Sequence, residues 1–127
     1  MVLHAGLVRS LVRVLARRAE ADVPAPRPRP ELMRAARWRA ARDGLTGQLF
    51  DPVSASLVDA RTAVTGLLAE LEEDLDAAGE WAEIEALVED LFARGTSAAR
   101  QRRTWLLTGD LREVAAGIVG EGAVEGM

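Results

Sequence analysis

Apolar positions recur along most of this chain with the spacing of an amphipathic α-helix. In residues 3–20, apolar side chains at four-residue steps form one stripe, and arginines with the same step form a second stripe. The apolar stripe contains Leu7, Leu11 and Leu15 with Val8 and Val12 at its flanks, and the basic stripe contains Arg9, Arg13 and Arg17. Side chains four residues apart lie on one side of a helix, so the pattern predicts a helix that faces a core.

The segment PAPRPRP, residues 24–30, breaks the helical pattern. Proline has no amide donor and restricts the preceding residue to extended conformations, so the segment predicts a stiff connector. We therefore expect an N-terminal amphipathic helix over residues 1–22, a Pro-rich connector over 23–30 and a helical segment over 31–127.

Residues 31–42, ELMRAARWRAAR, resume the helical pattern. The predicted apolar side of this helix consists of Leu32, Met33, Ala36 and Ala40. The order Arg34, Trp38, Arg42 places an indole between two arginines at four-residue steps, where the guanidinium groups can stack on it. Arg39 projects close to Leu32 at the border of the apolar side, so it must bind an anion or extend into solvent.

Gly44 has the position of a residue that ends this helix. The stretch LTGQLFDPVSASLVDA predicts a β-hairpin at 45–58. Leu49-Phe50 and Leu57-Val58 form its arms, and Asp51-Pro52 opens the turn between them. Two strands alone are marginally stable in water, so we expect the hairpin to lean on a larger body.

The remaining sequence predicts four helices, separated by glycines at positions 79, 95 and 109. They span about 60–78 after an Asp59 cap, about 80–93, about 97–107 after Thr96 or Ser97, and about 111–119 after an Asp110/Glu113 capping box. The acidic run ELEEDLD at 70–76 is interpreted as a solvated helix face, and the tail GEGAVEGM as a frayed end. The expected fold is all-α, with about six helices and one short hairpin.

Composition narrows the possible chemistry. The chain has 127 residues, no cysteine and one histidine, His4. This excludes disulfides, thiolate metal sites and a Cys nucleophile, as well as a His-based metal cage or a Ser-His-Asp triad within one chain. Arg9 and Arg13 interrupt the apolar positions of residues 2–15, so we expect no signal peptide, no membrane partner and a cytoplasmic location.

The charge is asymmetric along the chain. Residues 1–45 hold ten Arg and four acids, whereas residues 46–127 hold six Arg and sixteen acids. The basic part favours either an external anionic partner or pairing with the chain's own acidic part. Because the isoelectric point of the whole chain is about 5.1, we expect no nucleic-acid partner.

Two arginine clusters are the candidate binding groups. One contains Arg34, Arg37, Arg39 and Arg42, and the other contains Arg100, Arg102 and Arg103 beside Gln101. Each could bind phosphate or carboxylate, or could pair with the acidic helices. The sequence contains neither a GxxxxGK[ST] phosphate loop nor a GxGxxG turn after a strand, and we expect no metal site.

Three stretches in a fixed order carry a family resemblance. They are HAGLVRSLVRVLARRAE at 4–20, RWRAARDGLTGQLFDP at 37–52 and ARGTSAARQRRTWLLTGDLREVAAGI at 93–118. Together they resemble the C-terminal part of the carboxylate–amine ligases related to type 2 glutamate–cysteine ligases, which are glutamine-synthetase-like. Asp43 departs from the family's pattern, in which an aromatic residue precedes the glycine.

The resemblance implies an ATP- and Mg²⁺-dependent enzyme that forms an amide through an acyl phosphate. It also implies an upstream catalytic sheet that holds ATP and metal, so we expect this chain to be a C-terminal fragment, inactive alone and without bound cofactor. Arg37, Arg39 and Arg42 are the expected phosphate- or substrate-binding residues, and Gly44 serves the turn. The expected partner is the N-terminal catalytic portion of the ligase or a second copy. The alternative hypothesis is a non-catalytic helical module that binds a protein.

Overall fold

The structure is a computed structural model that describes the backbone of residues 3–125 and the side chains of residues 3–120. Across this range it contains six α-helices and one two-stranded hairpin, which confirms the expected fold class. The elements are α1 (Leu3–Glu20), α2 (Pro30–Asp43), β1 (Gln48–Asp51), β2 (Ser56–Asp59), α3 (Ala60–Ala77), α4 (Trp81–Arg94), α5 (Ser97–Thr108) and α6 (Leu111–Glu125). The chain divides into two compact units, Met1–Phe92 and Ala93–Met127.

The core of the first unit is formed by α1, α3 and α4. Its buried apolar residues are Val14, Leu68, Leu71, Leu75, Ile84 and Val88. Leu71, Leu75 and Ile84 have no exposed surface, and α3 therefore supplies the centre of this core. Each fully buried aliphatic side chain contributes roughly 1.5–3 kcal/mol relative to an exposed one.

The inward face of α1 differs from the predicted stripe. Gly6, Ser10 and Val14 are the buried positions, whereas the exposed fractions of Val12 and Leu15 are 60% and 44%. A helix has 3.6 residues per turn, so a constant step of four moves gradually around it. Leu7 and Leu11 of the predicted stripe are partly buried against the core, and a step of three from Leu11 reaches Val14, which is why Val14 rather than Leu15 is buried.

The β-hairpin has the predicted arms. β1 and β2 are antiparallel, with Leu49 opposite Val58 and Phe50 opposite Leu57. The Asp51 carboxylate accepts hydrogen bonds from the Val53 and Ser54 amides at 3.0 and 3.3 Å, which fixes the turn.

The helix following the hairpin begins at the predicted cap. The Asp59 carboxylate accepts from the Thr62 amide at 3.2 Å, as expected of a residue that precedes α3. The hairpin therefore runs directly into the helix that supplies the core.

The second unit contains α5 and α6, joined at Gly109. Gly109 has a left-handed backbone (φ 62°), and its amide donates to the Trp105 carbonyl at 2.8 Å. The Asp110 carboxylate caps α6 through the Arg112 amide, while the Asp110 amide donates to the Thr108 hydroxyl. Asp110 is therefore the cap residue, as predicted. Its amide, however, donates to Thr108 rather than to Glu113, the partner that a capping box would give it.

The C-terminal helix is longer than the sequence predicted. α6 continues to Glu125, so the expected end near residue 119 and the frayed tail are wrong over residues 120–125. Glycine lowers helix propensity by about 1 kcal/mol but permits helical dihedral angles, so the glycines of this tail weaken the helix without ending it. The last two residues of the predicted tail, 126 and 127, lie outside the described residues.

Candidate functional site: the arginine helix and the β-hairpin

The arginine-rich helix α2 begins at Pro30 and presents its basic side chains in different directions. Arg42 lies over the Trp38 indole, with its guanidinium carbon 4.5 Å from the ring centroid. The predicted stacking of an arginine on this indole is therefore present at its C-terminal side. Trp38 itself remains 63% exposed.

Arg42 also forms an ion pair with its neighbour Asp43. The Arg42 Nε and Nη2 atoms donate to the two Asp43 carboxylate oxygens at 2.7 and 2.9 Å. This hydrogen bond raises the pKa of Arg42 and, from the other side, lowers the pKa of Asp43 below its ordinary value. The guanidinium that the sequence assigned to an external anion thus already has a carboxylate partner within the chain.

Gly44 ends α2 as predicted. Its φ of 58° lies in the region that favours glycine, and its amide donates to the Ala40 carbonyl. The Thr46 hydroxyl donates to the Asp43 carbonyl at 2.7 Å and holds the next turn. The chain therefore reverses sharply after α2 and places the hairpin beside this helix.

A groove of about 390 Å³ lies between α2 and the hairpin. Its lining is largely apolar and consists of Leu32, Ala35, Ala36, Trp38, Arg39, Phe50, Ala55, Ser56 and Leu57. Arg39 is the charged residue of this lining, and it is only partly exposed. The position of Arg39 beside Leu32 agrees with the border position inferred from helix periodicity. We call this feature the α2–hairpin groove.

The structure separates the three arginines that the sequence grouped together. Arg39 lines the α2–hairpin groove, Arg42 is held by Asp43 and Trp38, and Arg37 is exposed outside the groove lining. Their role in binding phosphate or substrate stays a prediction.

The second arginine cluster is on α5, in the second unit. Arg100 donates to the Gly95 carbonyl at 2.6 Å, next to the Thr96 hydroxyl that caps the helix. The Gln101 amide donates to the Ser97 hydroxyl at 2.9 Å, while Arg102 and Arg103 are exposed. Arg100 thus stabilises the turn before its own helix, and the exposed pair remains open to solvent.

A buried polar cluster joins α1 to α3; the sequence indicated pairing of its basic and acidic parts as one alternative, but not this buried site. The Asp74 side chain is 4% exposed and accepts a hydrogen bond from the Ser10 hydroxyl at 2.8 Å. Arg13 and Arg17 each approach Asp74 to 2.8 Å. Hydrogen bonds from Arg13, and then from Ser10, hold the pKa of Asp74 well below its usual range.

The interpretation of residues 70–76 as a wholly solvated face is therefore wrong at Asp74. The position of Asp74 around the helix could have revealed its burial, because it lies three residues after Leu71 and one before Leu75, both fully buried. A carboxylate at such a position requires cationic partners, and the basic stripe of α1 supplies them. Two further ion pairs made by arginines of α1, Arg9–Glu80 and Arg18–Glu70, are more exposed than the Asp74 cluster. Internal pairing thus accounts for much of the charge asymmetry.

The described residues do not supply a metal site. No group of three or more His, Cys, Asp or Glu side chains among them could hold a metal ion. None of the helices within residues 3–125 has the length and apolar character needed to span a bilayer.

Comparison with known families identifies the chain. The sequence profile of glutamate–cysteine ligase family 2 (GCS2) matches residues 1–121. The chain belongs to this family, as the order of its three stretches indicated. No solved structure matches it.

Several curated relatives share this similarity. A protein of Frankia alni named "Putative glutamate–cysteine ligase 2-2" is 42% identical over 120 residues, which cover 94% of this chain and 31% of the relative. A second Frankia alni protein, named "Putative glutamate–cysteine ligase 2-3", is 44% identical over 121 residues, 95% of this chain and 14% of the relative. A Mycolicibacterium smegmatis protein, "Putative glutamate–cysteine ligase 2-2", is 40% identical, and the match covers 97% of this chain and 31% of the relative. The chain thus spans less than a third of these relatives.

Proposed function

We propose that this chain is the helical C-terminal segment of an ATP-dependent carboxylate–amine ligase of the glutamate–cysteine ligase type. The supporting observation is the family match over residues 1–121, combined with relatives that are at least three times as long as the matched segment. In the proposed reaction, the substrate carboxylate is activated as an acyl phosphate, and an amine displaces phosphate to form an amide.

The residues for ATP and Mg²⁺ are assigned in this proposal to the part of the ligase that the chain does not span. The described residues contain no set of carboxylates that fits a metal ion. We therefore expect the segment alone not to activate a carboxylate. Its proposed contribution is structural and electrostatic, through the α2 helix and the α2–hairpin groove.

Within α2, the three predicted arginines receive different roles. Arg42 stabilises the end of the helix through Asp43, before the turn at Gly44. Arg37 and Arg39 remain available for an anionic group of the assembled ligase, because neither forms an ion pair within the described part of the chain. An arginine donates in a planar fork that suits carboxylate or phosphate oxygens.

A second candidate is a non-catalytic helical module that binds a protein. The observation that favours it is the exposure of large apolar side chains on the second unit. Leu106, Leu107 and Leu111 are 82%, 79% and 70% exposed. Extensive exposed apolar surface is typical of protein-interaction sites.

The distinguishing experiment uses a chimera and the isolated chain. In the chimera, the matched segment of the 42%-identical Frankia alni relative is replaced by this chain. ADP formation is measured with glutamate, cysteine and Mg-ATP, and the unaltered relative is the reference. We expect substrate-dependent ADP formation by the chimera and none by the isolated chain.

Two results would contradict the proposal. Substrate-dependent amide formation by the isolated chain would show that its own residues activate the carboxylate. An inactive but folded chimera, beside an active reference, would show that this chain cannot replace the segment and would favour the interaction module.

A further inference from the structure

Arg39 is a cation beside an apolar surface. It lines the α2–hairpin groove with Leu32 and Phe50, and it forms no hydrogen bond or ion pair with any described residue. The neighbouring carboxylate of Asp43 has both oxygens engaged by Arg42. The groove therefore presents a guanidinium that has no hydrogen-bond acceptor among the described residues.

The charge of the groove defines the acceptor. Of the α2 arginines, only Arg39 is part of the groove lining among the described residues, so the groove offers one positive charge. A carboxylate matches a single guanidinium in charge and in its planar geometry. A polyphosphate carries several charges and is normally held by several cations or a metal, which this lining does not contain. The complementary group is consequently a carboxylate that is flanked by apolar groups.

The shape of the groove indicates the size of the partner. Its walls carry large apolar side chains that stay partly open to solvent, with Leu32 46%, Trp38 63% and Leu57 42% exposed. Small-molecule sites are concave and enclose most of their ligand. A polypeptide segment laid along the groove can cover both walls without being enclosed by them.

The hairpin itself supports a polypeptide occupant. Its two strands have four residues each, and two-stranded hairpins are only marginally stable alone. Its outer strand edges carry backbone groups that another segment can pair with. The relatives also contain more than twice as much additional polypeptide as this chain spans, which provides the covering segment.

We infer that the α2–hairpin groove is the docking site for an acidic, apolar segment from the part of the ligase that this chain does not span. A Glu or Asp side chain of that segment pairs with Arg39, and its apolar neighbours cover Leu32, Trp38 and Leu57. The inference rests on the proposed function, since that function supplies the partner polypeptide.

Hydrogen exchange tests this docking. Amide exchange of hairpin residues 48–59 is compared between the isolated chain and the chimera. We expect exchange in the chimera to be slower by about tenfold or more, because docking covers the hairpin. Charge reversal by Arg39→Glu should make hairpin exchange in the chimera about tenfold faster, which is the effect expected for the loss of one charge-assisted pair.

Matched controls separate docking from folding. Arg34→Glu makes the same charge change on the same helix outside the groove lining and should leave hairpin exchange unchanged in the chimera. In the isolated chain, Arg39→Glu should change hairpin exchange much less than in the chimera, because Arg39 has no ion pair there to lose and acts on Asp43 only through its charge. Arg39→Met removes the charge while keeping an unbranched stem, and it should lose protection without altering helicity.

The docking and the proposed function can fail separately. A chimera that forms ADP with substrates, but whose hairpin exchanges equally in wild type and Arg39→Glu, overturns the docking and leaves the function standing. A chimera with Arg39-dependent protection and no ligation supports the docking and contradicts only the catalytic assignment. Equal loss of protection by Arg34→Glu and Arg39→Glu overturns the specific pairing at Arg39.

Discussion

Asp74 has the densest set of polar contacts described for a single side chain here. It is almost fully buried and is surrounded by Ser10, Arg13 and Arg17 from α1. A buried carboxylate is stable only while its partners remain in place, since desolvation otherwise favours the neutral form. These contacts therefore help to hold α1 against α3, beside the apolar core.

The substitution Asp74→Asn should destabilise the first unit. It leaves Arg13 beside the core without its anion, so we expect the thermal midpoint to fall by several degrees. Asp76→Asn, on an exposed position two residues later in α3, is the matched control and should have little effect. Thermal unfolding by circular dichroism measures both. Equal midpoints for the two variants would show that the buried pair contributes nothing.

The same carboxylate should make stability depend on pH. Because its folded-state pKa is lowered, Asp74 binds its proton more readily in the unfolded state, and its contribution is complete above the unfolded value of about 4. That contribution is lost as pH falls from there towards the folded value. The stability difference between wild type and Asp74→Asn should therefore be constant near neutrality and should shrink below about pH 4. Urea midpoints across this range provide the measurement, and a difference that grows with acidity would reverse the assigned sign.

At the scale of elements, two glycines in the first unit should respond to alanine substitution with opposite changes in stability. Gly44 has a positive φ of 58° at the end of α2, whereas Gly66 lies inside α3, and an added Cβ at either position meets no other atom. Gly44→Ala should cost about 1–2 kcal/mol through backbone strain. Gly66→Ala should stabilise by roughly 0.5–1 kcal/mol through helix propensity. Urea denaturation distinguishes them, and a neutral Gly44→Ala would mean that the turn relaxes.

Helix periodicity and turn chemistry were sufficient to predict most elements. The hairpin arms, the Gly44 turn and the Asp59 and Thr96 caps depend on residues close in sequence, and the structure contains each of them. The buried polar cluster of α1 depends instead on Asp74, more than sixty residues away from Ser10 and Arg13. Such a contact follows from how two helices meet, which local spacing does not specify.

The candidate site was predictable to a similar degree. The border position of Arg39 follows from the 100° rotation per residue, and the structure places it in the groove. The pairing of Arg42 with Asp43 was missed, because adjacent residues inside a helix do not face each other. Asp43 is the last residue of α2, where the chain turns away, and there the two side chains can meet.

At the scale of the whole molecule, the two units differ in how well they bury their apolar residues. The first unit has a core of six buried aliphatic side chains. In the second unit, no described residue of α5 is buried, and most of the large apolar side chains described for α5 and α6 are exposed. Short isolated helices are marginally stable in water, so this unit gains stability when another surface covers it.

The isolated chain should therefore self-associate, chiefly through the second unit. Monomeric proteins seldom expose a contiguous apolar patch above roughly 600 Å². Among the described large apolar residues of the second unit, Leu106 and Leu107 are the most exposed. The double substitution Leu106→Glu/Leu107→Glu should lower the association constant by about tenfold or more, since it places two like charges on the contact surface. Leu57→Glu, on the less exposed hairpin wall, should lower it less.

Sedimentation equilibrium over a range of concentrations measures this association, with helicity by circular dichroism as the control for folding. The two sites are compared at equal helicity, because both substitutions are at solvent-exposed positions and should leave the core of the first unit intact. A larger effect of Leu57→Glu would place the self-association on the hairpin. A wild-type chain that stays monomeric at every concentration would contradict the prediction, and would mean that the exposed leucines of α5 are tolerated without a partner.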